Sequence, residues 1–106
     1  MSTRPDFPLT IESRKNGREF YLEGLALGRE GRHSDALTSF SLALAVDPTL
    51  ALAWVGRGFA LGKLGRYDEE IECCDKAIVL DPRCVDAWNN KAFAYGMLDR
   101  FLDKLK

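Results

Sequence analysis

The feature that most constrains this chain is an internal repeat with a period of 34 residues. The dipeptide Asp47-Pro48 recurs as Asp81-Pro82, and Trp54 recurs as Trp88 in a third copy. Further pairs in this register are Gly24 with Gly58, Gly31-Arg32 with Gly65-Arg66, Ala43 with Ala77, Ala60 with Ala94, and Gly62 with Gly96. Repeats of this length are single supersecondary units that bury their apolar faces by stacking. We therefore expect a regular array.

Each copy has the pattern of a helical hairpin. In the second copy, small and large apolar side chains recur at i, i+4 and i+7 over residues 51–64, which predicts a helix. Gly65 follows, a residue favoured where a helix ends in a left-handed conformation. A second helix over residues 67–80 ends before Pro82, which cannot extend it. The same reasoning predicts helices near 17–30 and 34–46, and a third copy with a helix over 85–98 and a fragment from 101.

This pattern resembles the tetratricopeptide repeat, with an aromatic, a small and a large residue on a first helix (helix A) and Ala, an aromatic, Ala and Pro on a second (helix B). The matching residues of copy one are Phe20, Gly24, Leu27, Ala36, Phe40, Ala43 and Pro48. Those of copy two are Trp54, Gly58, Leu61, Glu70, Cys74, Ala77 and Pro82, and copy three offers Trp88, Ala92 and Tyr95. The resemblance covers residues 17–106.

The resemblance implies an all-α fold of antiparallel helix-turn-helix repeats stacked as a right-handed α-solenoid. It divides the chain into an N-terminal extension (1–16) and a repeat domain (17–106). The repeats are 17–50, 51–84 and a truncated 85–106. The extension is expected either to lie on the repeats as a strap or to be a mobile tail. Because little of the third helix B is present, either the chain is a piece of a longer array or its last face meets a partner or a second copy.

The sequence departs from the family pattern at charged positions. Glu23, Arg57 and Lys91 stand where the family has Leu on helix A, and stacking suggests a Glu23–Arg57 ion pair. Glu70 replaces the small Ala of helix B, which predicts looser packing there.

In the family, the helix A faces line a concave groove that holds an extended peptide or a helix. Position by position, the resemblance assigns to this groove Arg18, Tyr21, Leu25, Arg29, Leu52, Val55, Phe59, Lys63, Asn89, Phe93 and Met97. These residues predict an apolar and aromatic groove with a basic edge, typical of an interaction site. The alternative is that the N-terminal strap or a second chain fills it.

The function expected from this resemblance is that of a protein–protein interaction module, a scaffold or adaptor that binds a peptide or amphipathic helix. The alternative is self-association, with a homodimer formed through the C-terminal repeat. Chaperone-binding members hold a carboxylate with Lys, Asn and Arg side chains. The corresponding residues here are Tyr21, Leu25, Gly56, Asp86 and Asn90. Because cations are missing and Asp86 would repel a carboxylate, binding of Hsp70 and Hsp90 C-terminal tails is expected to be disfavoured.

Other functional classes find little support in the sequence. The formal net charge is -1 and Lys and Arg are scattered among acids, so we expect no nucleic-acid binding. Apolar stretches fall well short of the roughly 20 residues that span a membrane, and no secretory signal is visible, so a cytoplasmic location is expected. His33, the one histidine, is interpreted as a packing residue. Neither a phosphate loop nor a paired-histidine motif is present, so we expect no enzyme activity, metal or cofactor.

The three cysteines allow two interpretations. Cys73 and Cys74 are adjacent and Cys84 follows, without the spacings of a disulfide framework. They form either a redox or metal site or, as we expect, a set of free thiols that pack as small apolar side chains.

Overall fold

The computed structural model describes residues 15–105, and this part of the chain is built of helices without a strand. The helices are α1 (Gly17–Arg29), α2 (His33–Val46), α3 (Ala51–Lys63), α4 (Tyr67–Leu80) and α5 (Val85–Lys104). Helices α1 and α2 form one hairpin, α3 and α4 form the next, and α5 packs on α4 and touches α3. The predicted all-α solenoid is therefore confirmed. Residues 1–14, which contain most of the predicted strap, lie outside the described residues.

The two helical hairpins turn at glycines that adopt a conformation few other residues accept. Gly31 and Gly65 each have φ of 78°, in the left-handed region where a Cβ is strained. After α1, the amide of Arg32 donates to the carbonyl of Leu27 at 3.0 Å, and the amide of Gly31 to that of Gly28 at 3.0 Å. These two bonds satisfy carbonyl groups left free at the helix end.

The predicted break in the third copy is wrong. Helix α5 runs without interruption over 20 residues, from Val85 to Lys104. At the position of the turn glycines Gly31 and Gly65, this copy has Asp99. Aspartate enters the left-handed region less readily than glycine, so the chain stays helical through that position.

The first two repeats are held together by the ring of Phe40, which is only 4% exposed. The ring lies between Gly24 of α1 and Gly56 of α3. A Cβ added to Gly24 or Gly56 would lie 2.6 Å or 2.5 Å from the ring, closer than real carbon contacts allow. Two glycines thus make the slot that a large helix B side chain fills, and this joins three helices in one core.

The hypothesised Glu23–Arg57 ion pair is wrong. Arg57 instead reaches helix B residues, donating to Ser41 Oγ at 3.1 Å and to Cys73 Sγ at 3.0 Å. Glu23 pairs with Lys15 at the start of the described chain. In the third copy, Lys91 Nζ lies 2.7 Å from Asp75 on α4, the position equivalent to Ser41. Arg57 and Lys91 therefore each contact the preceding helix B, and Arg57 does not pair with the preceding helix A.

The cysteines are free and buried. Burial raises the pKa of Cys73, and it raises the pKa of Cys74 to about 12. Because thiolates are the reactive form, these two side chains have the character of inert packing residues.

Candidate functional site

The concave side of the array carries two adjoining cavities, which share Phe59 and Asn90. The first has a volume of about 530 Å³ and the second about 450 Å³. Lining the first cavity are Tyr21, Gly24, Leu25, Gly28, Arg29, His33, Ala36, Phe40, Leu52, Val55, Gly56, Phe59, Ala60, Asp86 and Asn90. Lining the second are Phe59, Gly62, Lys63, Tyr67, Glu70, Asn90 and Phe93. Together they form one groove along α1, α3 and α5, the helix A elements.

The two cavities are copies of each other, displaced by one repeat. Adding the repeat length to seven residues of the first cavity gives every residue of the second. The pairs are Leu25 with Phe59, Gly28 with Gly62, Arg29 with Lys63, His33 with Tyr67, Ala36 with Glu70, Gly56 with Asn90, and Phe59 with Phe93. The same backbone geometry therefore presents two different sets of side chains.

Most of the eleven residues assigned to the groove from the sequence line these cavities. The first cavity contains Tyr21, Leu25, Arg29, Leu52, Val55 and Phe59, and the second adds Lys63 and Phe93. Arg18, Asn89 and Met97 line neither one. Arg18 still acts on the first cavity, because its charge, like that of Arg29, opposes the rise in the pKa of Tyr21. That pKa is raised mainly by burial and secondarily by Asp86.

The sequence assignment missed the contribution of helix B. His33, Ala36 and Phe40 of α2, and Tyr67 and Glu70 of α4, line the cavities together with helix A. The family geometry used in the assignment covers only helix A positions. The sequence contains one indication of this helix B contribution. Glu70 is an ionisable residue at the position that Ala36 occupies in the first copy.

The first cavity combines an apolar wall with charges of both signs. Arg29 comes from α1, His33 from α2 and Asp86 from α5. His33 Nδ1 is buried and has no hydrogen-bond partner among residues 15–105. The ring of Phe40 packs against Tyr21 with centroids 5.9 Å apart, which makes the wall aromatic. A ligand with apolar side chains and a carboxylate would find complementary groups here.

The second cavity is lined by a buried acid together with aromatic rings. Glu70 is 2% exposed, and its Oε1 lacks a hydrogen-bond donor within the described part of the chain. Burial raises the pKa of Glu70 to about 7. The carboxylate lies against Gly62, where a Cβ would be 2.4 Å from Oε1. Packing around Glu70 is thus close, contrary to the looser packing expected, because a glycine on α3 makes room for it.

Aromatic side chains line the same cavity as this carboxylate. Tyr67 and Phe93 pack edge to face, with ring centroids 6.3 Å apart and planes at 69°. The ammonium nitrogen of Lys63 lies 5.3 Å from the centroid of Phe59. Phe59 and Phe93 are both about half exposed, whereas Glu70, which lines the same cavity, is buried.

No group of three or more His, Cys, Asp or Glu side chains is placed to hold a metal ion among residues 15–105. Within the same range, no helix has the length and apolar character needed to cross a membrane.

Comparison with protein families and known proteins bears on what this fold is. Residues 51–84 match the family model described as tetratricopeptide repeat. No curated protein matches the sequence significantly.

Among solved structures, the TPR2B domain–pHsp70 complex of yeast Sti1 is 29% identical, with a TM-score of 0.77, covering 82% of this chain and 70% of that chain. The second TPR of Spaghetti (RPAP3), bound to the HSP90 peptide SRMEEVD, is 25% identical, with a TM-score of 0.77 and coverage of 79% and 78%. The Sgt2 TPR domain from Aspergillus fumigatus is 22% identical, with a TM-score of 0.75. That match covers 91% of this chain and 61% of the Sgt2 chain.

The expectation that Hsp70 and Hsp90 tails are disfavoured partners is wrong, because similar repeat domains are bound to such peptides. The helix A positions that correspond to the known clamp do lack cations. The first cavity has Arg29 at the end of α1 and His33 at the start of α2, both outside those positions. Residues 51–84 match the tetratricopeptide repeat model, and the five helices described over residues 15–105 fit about two and a half such repeats.

Proposed function

We propose that this chain is a protein-interaction module whose groove binds an extended peptide with an acidic C-terminal end. The main support is the groove itself, two adjoining cavities lined by apolar side chains that remain exposed. Leu52, Phe59 and Phe93 are each about half exposed, although they are large and apolar. Apolar concavities with a few polar groups are the usual form of a binding site.

Charge at the first cavity supports an acidic ligand. Arg29 lines it, Arg18 is close enough to act on Tyr21, and His33 has an unpartnered nitrogen. Asp86 opposes them, so we expect an anionic group to bind toward the α1 side. Two similar domains are bound to the HSP90 peptide SRMEEVD (the second TPR of Spaghetti) and to the HSP70 peptide SGPTIEEVD (the second TPR domain of human RPAP3), and both peptides combine acids with apolar residues. They are therefore the first ligands to test.

The test is titration of labelled SRMEEVD and SGPTIEEVD, followed by fluorescence anisotropy. Replacing Phe59 and Phe93 together by alanine is expected to weaken binding by about tenfold or more, since loss of two buried aromatic contacts exceeds ~1.4 kcal/mol. Val79→Ala is the matched control, because Val79 is 80% exposed and lines neither cavity. Circular dichroism checks that each variant stays helical.

The possible outcomes distinguish an error in the binding site from an error in the ligand class. Binding that survives in the double variant would place the contact outside the groove. If neither peptide binds the wild-type chain, the proposed ligand class is wrong.

Self-association through α5 is the second candidate, favoured by its exposed apolar surface. The exposed side chains are Trp88, Tyr95, Phe101, Leu102 and Leu105. Trp88 is 50% exposed, although its indole N–H donates to the carbonyl of Pro82 at 2.9 Å. Exposed apolar surface of this kind marks interfaces.

If α5 forms a dimer, Phe101→Glu should yield a monomer in analytical ultracentrifugation. Peptide binding in the groove should remain unchanged. A wild-type protein that sediments as a monomer at high concentration would rule this function out.

A further inference from the structure

We propose that the second cavity is a subsite for a basic side chain, the guanidinium or ammonium of an arginine or lysine of the bound peptide, paired with the carboxylate of Glu70. This inference rests on the proposed function, because the ligand is the peptide that occupies the groove. It adds the chemistry by which the α5 end of the groove selects among peptides.

The first support is the state of Glu70. Its side chain is 2% exposed, and Oε1 has no donor among residues 15–105. A carboxylate that is buried without a donor is destabilising. A ligand group that brings both N–H donors and a positive charge would relieve this cost, because charge-assisted hydrogen bonds are the strong ones.

The second support is the aromatic rim. The rings of Phe59, Tyr67 and Phe93 line the cavity that leads to Glu70. Cations are attracted to ring faces, and the ammonium of Lys63 already lies 5.3 Å from the centroid of Phe59. The side chain of Lys63 is exposed, and it forms no ion pair with Glu70 within 4.0 Å. The acid is therefore left for a group from outside.

The third support comes from the equivalent cavity one repeat earlier. There Ala36 takes the place of Glu70, and His33 takes the place of Tyr67. The acid of the first cavity, Asp86, is exposed on α5. The buried carboxylate is thus a property of the second cavity, and we expect the two cavities to favour opposite charges.

The two peptides proposed above as ligands differ in the feature that matters. SRMEEVD has an arginine ahead of its acids, whereas SGPTIEEVD has no basic residue. A peptide that places its acidic end at the first cavity would direct its other end toward Glu70.

The experiment compares SRMEEVD with a version in which the arginine is replaced by alanine. Affinities are measured at about pH 8, because burial raises the pKa of Glu70 to about 7 and the carboxylate is then mostly ionised. The wild-type chain is expected to favour the arginine peptide by roughly tenfold. Glu70→Gln, which keeps the side-chain shape, should abolish this preference. Equal affinities in the wild type, or a preference that survives in Glu70→Gln, would overturn the proposal.

A second measurement separates this proposal from the proposed function. Nα-acetyl-arginine amide is titrated into the protein while the side-chain NMR signals of Phe59, Phe93 and Glu70 are followed. Saturable shifts are expected in the wild type and not in Glu70→Gln, and Ala36→Glu should create a second set at the first cavity. If the small cation binds but no peptide does, the subsite stands and the peptide function fails. If the cation causes no shifts, the subsite is wrong.

Discussion

Between about pH 4.5 and pH 7, the wild-type protein is expected to lose about 3 kcal/mol of unfolding free energy that a Glu70→Gln variant keeps. The pKa of Glu70 is raised from 4.5 to about 7 by burial. In this interval the folded state therefore binds a proton that the unfolded state releases. Stability from the protonated acid is fully present below the unfolded pKa, is lost as pH rises to the folded pKa, and is constant above it.

Urea unfolding of both proteins across this pH range measures the effect. Other carboxyl groups are controlled by the comparison, because they are the same in both proteins. Hydrogen bonds lower the pKa of Glu69 and of Asp47, and these groups contribute stability that is lost as pH falls. The difference between the two stability curves isolates Glu70. If the two curves of stability against pH run parallel, the Glu70 carboxyl is exposed to water and its pKa is not raised.

Phe40→Ala is expected to cost about 3–5 kcal/mol of unfolding free energy, the usual loss for a buried phenylalanine. The ring is 4% exposed and fills the slot between Gly24 and Gly56, so its removal leaves a cavity at the junction of three helices. Phe101→Ala is the matched control. Phe101 is 60% exposed, so its loss should change stability by roughly 0.5 kcal/mol or less.

Adding a methyl group at either glycine of the slot tests the same packing by filling space instead of removing it. Gly24→Ala and Gly56→Ala each gain about 1 kcal/mol of helix propensity. We still expect net destabilisation, because the new methyl groups would lie 2.6 Å and 2.5 Å from a rigid ring and overpacking costs about 1–3 kcal/mol. A Phe40→Ala protein close to wild type in urea unfolding, or stabilised glycine variants, would contradict this account of the core.

The helices were predictable because their causes are local and recur. Hydrophobic spacing repeats every turn, and the repeat length places each pattern in register with the next. The third hairpin was predicted wrongly for an equally local reason. Asp99 stands where the first two copies have the turn glycine, and the helix continues through it. The repeat register predicts a turn at this position, because it does not take account of which residue occupies it.

The groove was predictable only on its helix A side. Tyr21, Val55 and Phe59 follow from the resemblance, whereas His33 and Glu70 reach the cavities from helix B. The position of Glu70 depends on Gly62, eight residues earlier on another helix, so neither residue alone predicts it. Likewise, the partners of Arg57 depend on how far a long side chain extends across the helix interface.

The uninterrupted helix α5 also has a consequence for motion. Of its 20 residues, only Ala87 and Ala94 are buried, and both side chains are small. In stacked repeats, the free energy of unfolding is roughly the sum of the stability of each repeat and of its contacts with its neighbours. A terminal helix with few buried contacts is therefore expected to open before the rest. We therefore expect amide hydrogens of α5 to exchange by local opening, ahead of those in α2 and α3. Phe93 belongs to α5 and lines the second cavity, so a ligand bound there would hold α5 against the array. Ligand binding and slower amide exchange along α5 would then report the same equilibrium between the closed and the open helix.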